Sequence, residues 1–229
     1  MKTGDYDILA NAPDKGPLAR LGIVVRTRLA ANPKVYKVPV DKAEIFVVGE
    51  FLSPAECVQL REMIDAVARP SPAYLDAEGK TGRTSYTGDV DPHDPFVLKI
   101  QRRIDDLLGI PGEYGETIQG QRYSAGQQFP SHFDWFRTDA AYWPEQQKGG
   151  GQRSWTTMVF LNEVEEGGKT EFPALGVAIE PTPGALLAWN NATPEGYSNE
   201  WTMHAGTPVT KGIKYIITRW YRTRRWAAE

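Results

Sequence analysis

The feature that most constrains the fold of this chain is a change of pattern near Gly115. Before it, "SPAECVQLREMI" and "DPFVLKIQRRIDDLLGI" place apolar residues at helical spacing. After it, short runs rich in β-branched and aromatic residues alternate with turns of Gly, Pro and Asn. Helices followed by many short antiparallel strands predict an α+β fold whose second part is a sandwich or jelly roll.

The ends of both helices carry recognisable signals. The first is predicted to begin with Ser53 as N-cap and Pro54 as the first helical residue, and Glu56 completes a capping box. It is expected to run to about Ala68. The second helix is predicted to stop at Gly109, which is followed closely by a proline.

The composition of the chain predicts an N-terminal segment followed by one domain. Residues 1–40 are rich in Pro, Gly and Ala, and predict an irregular arm with a short strand at "GIVVRTRLA". Residues 41–229 are expected to form the domain, with a helical part at 41–114 and a jelly-roll core at 115–224. No internal repeat suggests another division.

Composition excludes several classes of function. The net charge of −3 gives no general attraction to nucleic acid or an anionic membrane, and the basic run "RWYRTRRW" is interpreted as a solvated tail. No run approaches eighteen apolar residues, and the opening residues lack the apolar core of a secretory signal. A cytoplasmic location is therefore expected. The single cysteine, Cys57, permits no intrachain disulfide and is expected to be a small buried hydrophobe.

The motif "SHFDWF" is the first candidate for chemistry. His132 and Asp134 stand two residues apart, so at a strand end they would present an imidazole and a carboxylate on one face. His204 would complete the two-histidine, one-carboxylate set of non-haem Fe(II) sites. His93 lies in the turn-like "DPHDP" and is expected to be exposed. The alternative for His132 is a core histidine beside a solvated aspartate.

Lys214 is the second candidate. If "IKYIITRW" is a strand, Lys214 shares a face with Ile216, Thr218 and Trp220. A lysine on an inward apolar face is costly without a partner, and a bound carboxylate would supply one. The alternative is an outward-facing lysine at the start of a strand.

From about Phe51 to Tyr221 the chain resembles the prolyl 4-hydroxylase branch of the Fe(II)/2-oxoglutarate dioxygenases. The resemblance lies in "FLSPAEC", "GRTSYTGDV", "DPFVLKIQRRIDDLLGIPGEYGETIQGQRYSAGQQFPSHFDWF", "LNEVEEGGKTEFP", "PTPGALLAWNN" and "HAGTPVTKGIKYIITRWYR". It implies a double-stranded β-helix (jelly-roll) core with the N-terminal helices packed on the major sheet.

The resemblance also implies roles for individual residues. The implied iron ligands are His132, Asp134 and His204. Lys214 is expected to pair with the distal carboxylate of 2-oxoglutarate, helped by Tyr123 and Thr170, with Trp220 lining the site. The positions that match the substrate side are Arg83, Ser85, Glu116 and Arg153.

The implied reaction is hydroxylation of an unactivated C–H bond, expected at C4 of a peptidyl proline, with succinate and CO₂ as coproducts. Fe(II), 2-oxoglutarate and L-ascorbate are the expected cofactors, and a proline-containing peptide or protein is the expected partner of a monomer or homodimer. The chain departs from the family at Lys169, which replaces the usual acid of "GGET", and at Phe129, which replaces a common tyrosine. These departures concern the substrate more than the iron.

Three alternative functions compete with prolyl hydroxylation. The same chemistry could act on a free amino acid or another non-prolyl substrate. A non-catalytic metal-binding jelly roll would have no need of Lys214 in a cavity. The run "EGGKT" resembles the end of a phosphate-binding P-loop, but Glu163 stands where that motif requires glycine, so this alternative is rejected.

Overall fold

The computed structural model describes residues 6–71 and 84–227, which form four α-helices and fourteen strands. The helices are α1 (Lys15–Ala30), α2 (Pro54–Val67), α3 (Pro95–Leu108) and α4 (Trp143–Lys148). The strands are β1 (Val35–Lys37), β2 (Ile45–Val48), β3 (Arg69–Pro70), β4 (Tyr86–Asp89), β5 (Gln119–Ser124), β6 (Phe129–His132), β7 (Arg153–Phe160), β8 (Glu166–Gly167), β9 (Thr170–Phe172), β10 (Val177–Ile179), β11 (Leu186–Asn190), β12 (His204–Gly206), β13 (Val209–Lys211) and β14 (Ile213–Arg222).

The strands form two facing sheets and one small extra pair. Eight strands build the major sheet in the order β1-β2-β11-β7-β14-β5-β4-β3, and four build the minor sheet in the order β10-β9-β12-β6. Strands β13 and β8 pair separately, and every pairing is antiparallel. Neighbours in each sheet are mostly distant in sequence, as in a jelly roll, so the predicted fold class is confirmed.

The major sheet has a hydrophobic core on each face. On β14, Tyr215 and Ile217 pack with the helices, whereas Ile216 packs in the cluster between the two sheets. On β11, Leu186 joins the helical side and Leu187 the inner side. This alternation follows from the two-residue period of a strand, and it directs the polar side chains of Lys214 and Thr218 on β14 toward the space between the sheets.

The ends of α2 and α3 agree with the sequence prediction. The Ser53 side chain accepts a hydrogen bond from the Glu56 N–H, and the Glu56 carboxylate accepts one from the Ser53 N–H. Gly109 closes α3 in the left-handed conformation, with φ of 71°. These interactions are local, so the residues that form them can be recognised in the sequence.

The prediction of an irregular arm with a strand at "GIVVRTRLA" is wrong, because this segment is part of helix α1. Its buried residues Leu18, Val25 and Leu29 are spaced by seven and four positions, which places them on one helical face. The helix packs against α3, and β1 pairs with β2 at the edge of the major sheet. Residues before position 40 therefore contribute to both the hydrophobic core and the major sheet.

The interpretation of "RWYRTRRW" as a solvated tail is also wrong. The first half of this run belongs to β14, and three of its arginines form ion pairs inside the fold. The pairs are Arg219 with Asp105, Arg222 with Glu116, and Arg224 with Asp14. The positive charge of this run is thus largely neutralised within the protein.

Two smaller predictions are confirmed. Cys57 is buried on α2, and His93 is exposed just before α3. Among the residues that the structure describes, no helix has the length and apolar character needed to cross a bilayer.

Candidate metal and cosubstrate site

The minor sheet brings two histidines together. His132 ends β6 and His204 begins β12, and these residues are direct partners in the antiparallel register. Asp134 lies just beyond β6, where the chain has left the strand. One Asp134 oxygen lies 3.8 Å from His132 Nε2 and the other lies 3.8 Å from His204 Nε2. The structure therefore assembles the three residues, although Asp134 is carried by a bend rather than by the strand itself.

Both imidazoles are oriented by backbone carbonyls. His132 Nδ1 lies 2.8 Å from the oxygen of Pro130, and His204 Nδ1 lies 3.0 Å from the oxygen of Thr202. A carbonyl oxygen only accepts, so Nδ1 carries the proton in each ring. In the neutral imidazoles the lone pairs of both Nε2 atoms then face Asp134, which is the form that binds a metal.

Asp134 is held as a carboxylate by its neighbours. Burial works to raise its pKa, but the positive charges of His204 and His132 in their protonated form, together with Arg153, outweigh burial and hold the pKa below its usual value. Thr156 Oγ1 also donates a hydrogen bond of 2.7 Å to Asp134 Oδ2. The side chain of Asn191 donates to Thr156 Oγ1 at 2.9 Å, which leaves the threonine proton directed at the carboxylate.

The chemistry of this donor set fits Fe(II). The possible ligand atoms of His132, Asp134 and His204 are two imidazole nitrogens and a carboxylate oxygen, and they all lie within 4.8 Å of one another. Such a set binds one side of the ion and leaves the other coordination positions open. Phe129 stacks on His132 with ring centroids 3.7 Å apart, and Trp189 packs edge-on against His204 at 4.8 Å. Aromatic rings thus limit the movement of both histidines.

Lys214 points into the same interior from the major sheet. Its side chain is buried, and this burial lowers the pKa of the ammonium group to about 7. Thr170 Oγ1 lies 3.5 Å from its Nζ, and the Tyr123 ring centroid lies 5.7 Å away. Within residues 6–71 and 84–227, no carboxylate forms an ion pair with Lys214. A buried cation in this setting is suited to an anionic ligand.

A single cavity between the two sheets connects these groups. It is lined by all three residues of the histidine–aspartate cluster, by Lys214, and by the other residues that the family resemblance assigned to 2-oxoglutarate, namely Tyr123, Thr170 and Trp220. The Tyr123 hydroxyl donates to Gln121 Oε1 at 2.5 Å. One ligand in the cavity could therefore contact the histidine–aspartate cluster at one end, and Lys214 with the hydroxyl groups of Thr170 and Tyr123 at the other.

Two of the residues expected to bind substrate, Glu116 and Arg153, form an ion pair beside the cavity. Glu116 binds Arg153 through two hydrogen bonds of 2.7 Å and also pairs with Arg222. Burial would raise the pKa of Glu116, but the two arginines hold it below its usual value. The Arg153 guanidinium lies 4.1 Å from the Trp220 ring centroid, so Arg153 reaches the cavity wall through that ring.

The two remaining substrate candidates lie elsewhere. Ser85 is buried beside the β3–β4 pair, where its hydroxyl lies 2.8 Å from that of Ser71. Arg83 lies outside the described residues. A role in substrate binding stays a prediction for both residues.

The sequence analysis did not identify Thr156 and Asn191, which orient Asp134. It also did not identify Gln152, whose side chain binds the backbone of Phe136, two residues after Asp134. A weak signal for Thr156 was present, because it occupies an inward position of the apolar strand β7 where a β-branched hydrophobic residue is common. Its partner Asp134 lies 22 positions away in the chain. That distance left the pairing unspecified by any local pattern.

Comparison with known proteins places this site in a family. Residues 118–222 match the model of the 2OG-Fe(II) oxygenase superfamily. The chain is 31% identical over 205 residues to "Probable prolyl 4-hydroxylase 10" of Arabidopsis thaliana, which covers 79% of this chain and 69% of that protein. It is 30% identical to "Prolyl 4-hydroxylase subunit alpha-1" of Homo sapiens, covering 84% of this chain and 38% of the human subunit.

Solved structures agree with these relatives. A viral collagen prolyl hydroxylase of Paramecium bursaria Chlorella virus-1, solved as a complex with 2OG, is 29% identical with a TM-score of 0.60. The similarity covers 78% of this chain and 95% of the viral one. The likeness thus extends over most of the fold.

Proposed function

Because this chain belongs to the prolyl 4-hydroxylase branch of the 2OG-Fe(II) oxygenase superfamily, we propose that it hydroxylates C4 of proline residues in a peptide or protein. The chain is a 2-oxoglutarate-dependent dioxygenase that uses Fe(II). The observation that carries the proposal is the cavity shared by the cluster and Lys214. Prolyl hydroxylation is the activity named for its relatives in plants, animals and a virus.

Each group of the cavity has a defined task in this reaction. His132, Asp134 and His204 would hold the iron through two neutral nitrogens and one negative oxygen. Lys214 and Thr170 would bind the distal carboxylate of 2-oxoglutarate and so fix its orientation. When bound, iron would activate O₂, one of whose oxygen atoms hydroxylates the C–H bond while the other enters succinate as 2-oxoglutarate is oxidised to succinate and CO₂.

We further propose that L-ascorbate serves as the reductant that restores Fe(II), and that the enzyme acts in the cytoplasm as a monomer or homodimer. Arg153 and Glu116 form the rim on the side where the peptide arrives. The support for this placement is the contact of Arg153 with Trp220, a residue of the cavity wall.

The test is formation of succinate by the purified protein with Fe(II), ascorbate and 2-oxoglutarate, with and without a proline-rich peptide. We expect succinate that is stimulated by the peptide, together with a mass increase of one oxygen on the peptide. His132→Ala should abolish both signals because it removes a metal ligand. His93→Ala is the matched control, since the same change at an exposed histidine should leave both unchanged.

Other outcomes separate the alternatives. Succinate that no peptide stimulates would retain the dioxygenase and reject the peptidyl substrate in favour of a free amino acid or other small molecule. A protein that binds iron without any turnover of 2-oxoglutarate would support a non-catalytic metal-binding jelly roll.

A further inference from the structure

The segment that carries Asp134 has no regular structure of its own. Strand β6 ends at His132, and residues 133–138, here called the metal loop, contain neither helix nor strand. A ligand on such a segment is positioned only as well as the contacts that hold the segment. The metal loop is held by residues that are distant in the sequence and that the family resemblance does not assign to the site.

Gln152 grips the metal loop directly. Its Oε1 accepts from the Phe136 N–H at 2.7 Å, and its Nε2 donates to the Phe136 carbonyl at 2.8 Å. The two bonds define the orientation of the amide, because exchanging its oxygen and nitrogen would lose both. Gln152 is 3% exposed, so water does not compete for these bonds. Phe136 is two residues from Asp134, and the Gln152 amide holds both its backbone N–H and its backbone carbonyl.

Asp14, from the segment before α1, holds Gln152 in turn. Asp14 Oδ2 accepts from the Gln152 N–H at 2.7 Å and from Thr223 Oγ1 at 3.0 Å. Its Oδ1 accepts from the Arg224 guanidinium at 3.1 Å. Asp14 is buried, and its carboxylate therefore ties the N-terminal segment, the start of β7 and the end of β14 together.

Tyr6 covers the other side of the metal loop. Its ring stacks on Trp135 with centroids 5.8 Å apart and an angle of 22°. Its hydroxyl oxygen accepts from the Thr138 N–H at 3.1 Å, and the Thr138 hydroxyl donates to the Asn11 carbonyl at 3.1 Å. Tyr6 is buried although it lies near one end of the chain. The metal loop is thus enclosed between residues 6–14 and Gln152.

We propose that Tyr6, Asp14 and Gln152 are positioning residues for the metal site, through which residues 6–14 set the place of Asp134. A site of this kind needs its ligands held to within about 0.5 Å, and the metal loop has no internal hydrogen-bond ladder to do so. The inference rests on the proposed role of Asp134 as an iron ligand. It gives the N-terminal segment a part in the active site.

The test measures metal affinity with Co(II), whose absorption bands report the geometry of its ligands. Gln152→Glu keeps the acceptor for the Phe136 N–H but replaces the donor with an oxygen facing the Phe136 carbonyl. We expect its Co(II) Kd to rise by about tenfold, with shifted bands, because outer contacts of ligands commonly contribute 10- to 100-fold. Gln101→Glu on α3 adds the same charge away from the site and should bind as the wild type does.

A second pair of variants covers the case in which Gln152→Glu does not fold. Tyr6→Ala removes both the stacking on Trp135 and the acceptor for Thr138, whereas Tyr6→Phe keeps the ring. The Kd should rise in the order wild type, Tyr6→Phe, Tyr6→Ala, with thermal unfolding used to show that each metal-free protein is folded.

Two results would overturn the inference. Folded Gln152→Glu or Tyr6→Ala proteins with wild-type Co(II) affinity and spectra would show that these contacts stabilise the chain without positioning Asp134. A wild-type protein that fails to bind Co(II) would instead overturn the proposed metal site itself, and the inference with it.

Discussion

At the scale of single residues, Lys214 has an unusual state of protonation. Burial lowers its pKa from 10.5 to about 7, so without a ligand the ammonium group loses its proton near neutral pH. A bound carboxylate favours the charged form. Binding of 2-oxoglutarate should therefore be linked to uptake of a proton whenever the pH exceeds about 7.

This linkage predicts how the affinity for 2-oxoglutarate depends on pH. The Kd should be nearly constant below pH 7 and should rise by up to about tenfold for each unit above it, since the charged fraction falls by that factor. Calorimetry in buffers of different ionisation enthalpy would measure both the Kd and the proton uptake. A Kd that does not change between pH 6.5 and 8.5 would contradict the prediction.

The same group predicts the pH dependence of stability without ligand. Between about pH 7 and 10.5 the unfolded chain binds more protons than the folded one at Lys214, so the free energy of unfolding should rise with pH in that window. Lys214→Met should remove this contribution, as followed by urea unfolding. Lys211→Met is the matched control, because Lys211 is exposed on β13, the strand that precedes β14 in the chain.

At the scale of elements, two paired glycines let α2 lie on the major sheet. Gly88 of β4 and Gly120 of β5 are direct partners. A Cβ on Gly120 would lie 2.3 Å from Cγ1 of Ile64, and one on Gly88 would lie 2.8 Å from the carbonyl oxygen of Ile64. Ile64 is a fully buried residue of α2. The helix can thus approach the strands closely because these positions have no side chain.

Gly120→Ala is therefore expected to destabilise the protein by about 1 to 3 kcal/mol, the usual cost of overpacking a core. Urea unfolding measures the change. Gly49→Ala is the control, since a Cβ there meets no atom within 4 Å. Adding Ile64→Ala to Gly120→Ala should cost less than the sum of the single changes, because it removes Cγ1 and Cδ1 of Ile64, the two side-chain atoms that the new methyl group would meet. Full additivity would contradict this account of the helix–sheet contact.

At the scale of the whole molecule, the site joins the two sheets. His132 and His204 belong to the minor sheet, whereas Lys214 and Tyr123 belong to the major sheet. A metal with 2-oxoglutarate would therefore contact both walls of the sandwich at once. Ligand binding should stabilise the folded chain as a unit rather than one sheet alone.

Thermal unfolding measures this stabilisation. Ligands at about 100 times their Kd add about 2.7 kcal/mol, which corresponds to a Tm increase of about 5 to 10 °C for a chain of this size. We expect such an increase with Co(II) and 2-oxoglutarate together. Asp134→Asn should remove the part due to the metal. An equal increase in that variant would mean that Co(II) binds elsewhere.

Much of the fold and of the candidate site could be predicted from local pattern. The caps of α2 and the stop of α3 at Gly109 involve residues within a few positions of one another. The inward face of Lys214 follows from the two-residue period of β14. The strand prediction within α1 failed because neighbouring valines favour strands, whereas tertiary packing of a helical face decided the structure.

The sequence by itself therefore determined which residue types could bind iron and a dicarboxylate, the order in which they occur, and the elements that carry most of them. Only the tertiary structure decided what holds Asp134 in place, through Thr156, Gln152 and the N-terminal segment. The hydrogen bond between Asp14 and Gln152 spans 138 positions. Such contacts form because distant segments bury their polar groups against each other, and no periodicity within either segment specifies the partner.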